Sequence, residues 1–147
     1  MAIGSYCTEL GGLATLAQGL ESQGDTQNAK MYRTRSTIAL ASQTVAAGDI
    51  VLCFPQAGME FVGARWTTST SLSTSTFGII GLTSGTTYVA TGQTLTATDT
   101  PTNLPVTATV MAGAAIGVGG DTVVLRPATT TLPASGTLVV ETFWTRP

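Results

Sequence analysis

Leucines follow a helical spacing near the start of the chain. Within CTELGGLATLAQGLESQG they recur every three or four residues, the spacing of one apolar helix face, at Leu10, Leu13, Leu16 and Leu20. Three glycines interrupt this stretch, and each costs up to ~1 kcal/mol relative to alanine inside a helix. We therefore expect residues 1–30 to form an arm, either a short helix or extended chain, which needs another surface to pack against.

From residue 31 the pattern changes to a period of two, which is typical of strands with one buried face. In KMYRTRSTIALAS the predicted inner face carries Tyr32, Thr34, Ser36, Ile38 and Leu40. Further short stretches rich in Thr and Val follow, separated by turn residues: GDIVLCF, MEFVGARWTT, TFGIIGL, TTYVATGQTLTAT, VTATVMA, TVVLRP and TLVVETFWTRP. Residues 31–147 are therefore predicted to form an all-β domain, an antiparallel β-sandwich or small jelly roll.

Two of the predicted strands begin with the same plan. FPQAGMEFVGARW and LPASGTLVVETFW each contain a Pro-x-x-Gly turn, an alternating apolar run and a terminal tryptophan. Proline fixes one φ near −65° and glycine permits a positive φ, so both segments are predicted to turn the chain into a strand. The matched positions are Pro55 and Pro133, Gly58 and Gly136, and Trp66 and Trp144.

The alternation after each turn predicts two inward-facing rows. The first row contains Val62, Ala64 and Trp66, and the second contains Leu138, Val140, Thr142 and Trp144. A tryptophan at the end of each row would fill one end of the sandwich or a seam between subunits. We favour this structural role over that of a ligand platform.

The chain is poor in charge. Charged residues make up 10% of it and the mean hydropathy is +0.31, whereas ordinary soluble proteins carry about 25% charged residues. No apolar run approaches the ~20 residues of a membrane helix, and no cation precedes Lys30 to start a signal peptide; we expect no membrane partner. Either Thr and Ser cover the outside or other subunits do, and we favour an obligate assembly.

The net charge of −2 and pI of about 4.8 argue against nucleic-acid binding, which requires a basic surface. Lys30, Arg33 and Arg35 form one small basic cluster. This cluster is interpreted either as the solvated face of a strand or as a docking patch for an acidic neighbour.

Candidate chemistry is sparse. The chain has no histidine, which excludes Ser-His-Asp and Cys-His machinery and leaves metal binding without support. Glu60 and Glu141 follow the two matching turns, but each is expected to point to solvent. Cys53 lies in an apolar run and is expected to be a buried thiol, while its pairing with Cys7 stays open. We expect no catalytic residues, no metal and no cofactor.

Three stretches together resemble small bacteriophage head proteins: AAGDIVLCFPQAGMEFVGARW, FGIIGLTSGTTYVA and DTVVLRPATTTLPASGTLVVETFW. These head proteins include the decoration, or cement, proteins that stud the capsids of tailed phages. The resemblance covers about residues 36–147, is one of pattern, and leaves out the arm.

The resemblance implies a non-enzymatic β-sandwich on the outer surface of a virion, made in the host cytoplasm. It implies a homo-oligomer, with a trimer favoured, that clamps neighbouring copies of a major capsid protein. Another phage part (tail, neck or head fibre) and a carbohydrate-binding adhesive module are the alternatives. An exposed row of aromatic residues would favour the adhesive module.

Overall fold

The computed structural model describes residues 30–40, 49–73, 75–113, 115–128 and 133–146. Within these ranges the chain forms eight strands and one short helix. In chain order they are β1 (Lys30–Ala39), β2 (Ile50–Cys53), β3 (Glu60–Thr68), β4 (Phe77–Gly81), β5 (Thr87–Gln93), β6 (Thr102–Leu104), α1 (Ala108–Met111), β7 (Val123–Pro127) and β8 (Thr137–Arg146).

The strands form two four-stranded antiparallel sheets. The first sheet has the order β1-β8-β3-β6, and the second has the order β2-β7-β4-β5. Four pairs are nested in sequence: β1 with β8, β2 with β7, β3 with β6 and β4 with β5. The four pairs form one long antiparallel ribbon, which folds over so that β8 pairs with β3 and β7 pairs with β4. The predicted antiparallel sandwich is confirmed, and its strand order is that of a jelly roll.

The two Pro-x-x-Gly segments lead into β3 and β8, which are neighbours in the first sheet. Gly58 has a φ of 83° and Gly136 a φ of 104°, so both turns use the left-handed region. In the first turn the Met59 amide donates to the Gln56 carbonyl at 3.2 Å. A positive φ at the third residue of such a turn is typical of type II.

The antiparallel pairing of β3 with β8 places the two tryptophans at opposite ends of one inner face. Trp66 lies opposite Val140, and Trp144 lies opposite Phe61. Both indoles are buried, with 2% and 0% exposure. Each meets the second sheet edge-on: the Trp66 ring centroid lies 6.0 Å from Phe77 and that of Trp144 lies 5.6 Å from Tyr88.

One predicted inward residue points the other way. The register of β3 against β8 shifts between Phe61 and Gly63, which indicates a β-bulge. An extra residue at a bulge moves the side chains on one side of it to the opposite face of the sheet. Phe61 is therefore buried at 4% exposure, whereas Val62 is 38% exposed. The inner row of β3 consists of Phe61, Ala64 and Trp66, and the prediction of Val62 was wrong.

The segment between β5 and β7 also differs from prediction. VTATVMA is not a strand: Ala108–Met111 forms α1 and buries only Val110 within it. The stretch before it, for which no strand was predicted, contains β6. Four β-branched residues raised the strand propensity of VTATVMA, but tertiary context overrides so weak a preference.

Substituting the two turn glycines should have unequal effects. A Cβ added at Gly136 would lie 2.5 Å from Thr70 Oγ1 and 2.8 Å from Thr70 Cβ, whereas one added at Gly58 meets nothing within 4 Å. Gly58→Ala carries only the cost of a positive φ, ~1–2 kcal/mol, and Gly136→Ala adds a steric clash. Urea unfolding should therefore rank Gly136→Ala as clearly less stable. Equal losses in the two variants would contradict this packing.

Candidate interaction surface

A cross-strand row of charges lies on the outer face of the first sheet. Glu141 of β8 lies opposite Arg35 of β1 on one side and opposite Arg65 of β3 on the other. Arg65 Nε donates to Glu141 Oε2 at 2.8 Å, and its Nη2 donates to the same oxygen. Arg33 Nη1 lies 3.5 Å from Glu141 Oε1. We call these four residues the arginine row.

Glu141 is not the solvent-facing carboxylate that the sequence suggested. It lies on the outer face, but its neighbours leave it only 9% exposed. The hydrogen bond from Arg65 holds the pKa of Glu141 below its ordinary range, against the opposing effect of burial, with help from the charges of Arg33 and Arg35. A carboxylate held ionised in this way is a structural anion and no general acid.

Glu60 and Glu141 lie far apart along the first sheet. Glu60 lies opposite Thr145, and Glu141 lies opposite Arg65, five positions further along β3. At ~3.3 Å per residue the two backbone positions are about 16 Å apart. In a glycosidase two carboxyl groups about 5–9.5 Å apart face each other across a cleft, whereas the Glu141 carboxylate is bonded to Arg65 and paired with Arg33.

The arginine row has an excess of positive charge although the chain has a net charge of −2. Arg65 is held between Glu141 and the ring of Phe143, with its guanidinium carbon 5.8 Å from the ring centroid. Arg33 keeps 58% of its side chain exposed. Arg35 is exposed and forms no ion pair with any residue that the structure describes. Arg33 and Arg35 are thus the members open to a partner.

A groove lies beside the start of β1. It has a volume of about 340 Å³ and lies between Tyr32 to Thr34 of β1 and the segment 53–56 that follows β2, with Trp144 among its walls. Phe54 is 71% exposed and Tyr32 is 37% exposed. Burial raises the pKa of the Cys53 thiol in its wall, so this cysteine is an inert apolar group at neutral pH.

Exposed apolar side chains collect in the loops at one end of the sandwich. They come from four separate segments, with exposures of 71% for Phe54, 47% for Leu82, 66% for Met111 and 104% for Val118. Backbone hydrogen bonds join three of these segments: the Asp121 amide donates to Pro55 O and the Leu82 amide to Thr122 O. We call this surface the apolar loop end.

The chain enters β1 at the apolar loop end. Lys30 begins β1 opposite Arg146, and Arg146 Nη2 donates to the carbonyl of Ala57 at 3.4 Å. The start of β1, where the predicted arm ends, therefore lies beside the exposed apolar loops. The leucines of the arm (Leu10, Leu13, Leu16 and Leu20) and Cys7 lie outside the described residues.

Asp121 fixes the loops at this end. Its carboxylate accepts hydrogen bonds from the Thr83 amide at 2.9 Å, the Ser84 hydroxyl at 2.6 Å and the Tyr88 hydroxyl at 3.0 Å. Burial alone would raise the pKa of Asp121, but these bonds outweigh it and hold the pKa below its ordinary value. Burial and the adjacent Asp121 raise the pKa of Tyr88. The carboxylate thereby ties the turn after β4 to the aromatic core.

Two kinds of site are not found in the part of the chain that the structure describes. No group of three or more Cys, Asp or Glu residues there could hold a metal ion. No helix in those ranges is long and apolar enough to cross a membrane.

The sequence signals for these surfaces were of unequal strength. Arg33 and Arg35 were visible as a cluster, but Arg65 and Glu141 stand alone in the sequence, and only strand pairing brings them together. Asp121 follows two glycines and resembles an ordinary turn residue. The groove residues Tyr32 and Phe54 had no distinguishing signal, because their exposure depends on the loop after β2.

Two solved capsid structures contain chains of similar fold. A chain in the capsid asymmetric unit of cyanophage Pam1 aligns with a TM-score of 0.57 and 16% identity, covering 89% of this chain and 95% of that one. A chain in the acidic stable capsid structure of Helicobacter pylori bacteriophage KHP30 aligns with a TM-score of 0.54 and 13% identity, covering 78% and 86%. At these identities the likeness establishes the fold. No family model and no curated protein matches the chain.

The aligned fractions also indicate the relative lengths of the matched chains. Since each alignment spans most of both chains, each matched capsid chain is about as long as this one. The likeness therefore extends over most of both chains in each comparison.

Acid should remove the stabilisation that Asp121 provides. Its folded pKa lies below the ordinary value of 3.8, so its contribution is fully present above that value and is lost as the pH falls through the folded value. Asp121→Asn should lower the free energy of unfolding at pH 7, and its difference from wild type should shrink toward about pH 2. Asp99→Asn, at an exposed loop position, is the matched control. A difference that is the same at both pH values would contradict this role of Asp121.

Proposed function

We propose that this chain is a structural protein of a tailed-bacteriophage virion, which decorates the outer surface of the capsid and stabilises it by clamping neighbouring major capsid subunits. The observation that carries the proposal is the whole-chain fold likeness to chains in two phage capsid structures. The sequence resemblance over about residues 36–147 supports the same assignment independently. Fold alone does not determine function, so the surfaces must also fit the role.

The described carboxylates suit a structural role. Glu141 is neutralised by two arginines, and Asp121 is fully engaged by hydroxyl and amide donors. A third acid, the exposed Asp49, is paired with Arg126 at 2.7 Å. None of these groups is left with the raised pKa of a general acid, and we propose a non-enzymatic protein without a cofactor.

The apolar loop end supports attachment to another protein surface. Phe54, Leu82, Met111 and Val118 expose large apolar side chains, and the arm enters the domain beside them. Contacts that exist only in the assembled shell stabilise that state by mass action. Several arms held together in a homo-oligomer, for which we propose a trimer, would bind with a high effective concentration even if each arm binds weakly.

Carbohydrate binding is less well supported. Among the described residues the exposed aromatic side chains are Tyr32 and Phe54, which lie on opposite walls of one groove and form no row across a sheet. Phe61, Trp66, Phe77, Tyr88 and Trp144 are buried. The aromatic residues therefore serve the core more than a sugar-binding platform.

Deleting residues 1–29 should leave the β-domain folded and weaken attachment to shells. The first strand begins at Lys30, and burial of a leucine provides about 1.5–3 kcal/mol; loss of four should lower occupancy at least about tenfold even after the entropy of ordering the arm is subtracted. The measurement is occupancy on undecorated shells, with circular dichroism of the free protein.

A full-length pair of variants controls this experiment. Leu13→Gln with Leu16→Gln should reduce occupancy, whereas Gln18→Ala with Gln23→Ala, at polar positions of the same arm, should not. Full occupancy without the arm would refute its docking role. No binding of the wild-type chain to shells would refute the proposed function itself.

A further inference from the structure

Among the residues that the structure describes, the first strand presents a long free edge. β1 contains ten residues and pairs only with β8 among the residues that the structure describes. The other edge strands are shorter: β2 has four residues, β6 has three, and β5 has seven with an irregular register. A long edge strand offers unpaired backbone groups to another strand unless the protein blocks it.

The register identifies which backbone groups are free. The Leu40 amide donates to Gly136 O at 2.9 Å, and this pair continues the alignment of Ala39 with Thr137. In an antiparallel pair every second residue bonds to its partner strand. Even-numbered residues of β1 therefore bond to β8, and the amides and carbonyls of Met31, Arg33, Arg35 and Thr37 point to the free side.

The charges along this edge indicate what should lie beside it. Across the outer face, Arg35, Glu141 and Arg65 alternate in sign from strand to strand. Arg35 has no ion-pair partner in the described ranges, and Arg33 remains mostly exposed. An additional strand next to β1 would continue the alternation if it placed acidic side chains on this face, because opposite charges on neighbouring strands attract.

The other face of the same edge carries the groove, whose walls combine apolar and polar side chains. The Ser36 hydroxyl donates to Leu52 O at 2.7 Å, which joins the two sheets there, and the groove opens toward the start of β1. Its walls include Tyr32, Phe54 and Trp144. Successive side chains of a strand point to opposite faces, so an added strand with acidic residues outside would place its alternate residues at this groove.

We propose that the free edge of β1 binds an extended segment of another protein in which acidic and apolar residues alternate. The backbone of the segment pairs with Met31 to Thr37, its carboxylates meet Arg33 and Arg35, and an apolar side chain enters the groove between Tyr32 and Phe54. This inference rests on the proposed function for the source of the segment, which would be a capsid subunit.

A second copy of the chain fits this edge poorly. If two β1 strands paired about a two-fold axis at Arg33, at Thr34 or at Arg35, the pairs would be Arg33 with Arg33, Arg33 with Arg35, or Arg35 with Arg35. Like charges directly opposite each other destabilise a strand pair. In these three registers the edge therefore disfavours a second copy and favours an acidic strand.

The test uses the full-length chain and a capped peptide, as long as β1, that alternates glutamate and valine. Hydrogen exchange followed by NMR should show the amides of Arg33, Arg35 and Thr37 exchanging faster than those of Thr34 and Ser36 in the free protein. Saturating peptide should then slow the exchange of the first group. Two peptides serve as controls. One has lysine in place of glutamate, and the other has the residues of the test peptide with all glutamates in one block and all valines in a second block.

Variants separate charge from backbone pairing. Arg35→Gln should weaken peptide binding roughly two- to fivefold, while Gln93→Glu, which changes the net charge equally on a strand of the other sheet, should not. Thr37→Pro removes one free-side amide and keeps both arginines, a change that edge strands accept; it should weaken binding between about two- and tenfold.

Each outcome decides the inference. Binding of the alternating peptide with slowed exchange at the free edge supports it, whether or not the chain also binds shells. Absence of peptide binding, equal binding of the lysine peptide, or free-side amides already protected by a second copy would overturn it. If the chain occupies shells and the peptide fails, the proposed function stands and the edge has no such role.

Discussion

The pairing of β3 with β8 is the interaction on which the rest of the structure depends. These are the two central strands of the first sheet, and one register places Trp66 and Trp144 on the inside and Arg65 beside Glu141 on the outside. Slipping a strand by one residue exchanges its two faces, which would place an arginine in the core and a tryptophan in water. Two interactions therefore specify the register: burial of apolar side chains on the inner face and charge pairing on the outer face.

Because charged residues are scarce, each ion pair helps to determine which strands become neighbours. Charged residues make up 10% of the chain, and the described ion pairs join strands: Arg33 and Arg65 meet Glu141, and Arg126 meets Asp49. Exposed ion pairs usually contribute little stability, so these pairs serve mainly to define strand neighbours. The apolar loop end and the free edge of β1 are the surfaces that we propose for contact with other proteins.

The periodicity of the sequence was sufficient to predict the fold class, but it did not predict correctly which side of the sheet every residue faces. Alternation predicted the strands, and the Pro-x-x-Gly turns marked the starts of β3 and β8. The bulge at Phe61 to Gly63 was not predictable, because an inserted residue leaves no local signal and reverses the facing of Val62. The brief helix α1 was missed for a related reason, since the packing of Val110 outweighs the strand propensity of its neighbours.

The candidate surfaces were harder to predict than the fold class, because they depend on which strands pair. Arg33 and Arg35 were identified from sequence, but their relation to Glu141 and Arg65 requires strands distant in the chain to become neighbours. Asp121 seemed an ordinary turn residue until its hydroxyl and amide donors were placed around it. Residues that act through partners far away in sequence cannot be predicted from a local pattern.

The most direct test of the proposed function is a cryo-electron microscopy map of the virion whose genome encodes this chain. The account predicts density for the two-sheet domain on the outer surface of the capsid, in contact with more than one major capsid subunit and with the loops of Phe54, Leu82 and Val118 toward the shell. A complete capsid without this density, or density for the chain only in the tail or neck, would contradict it.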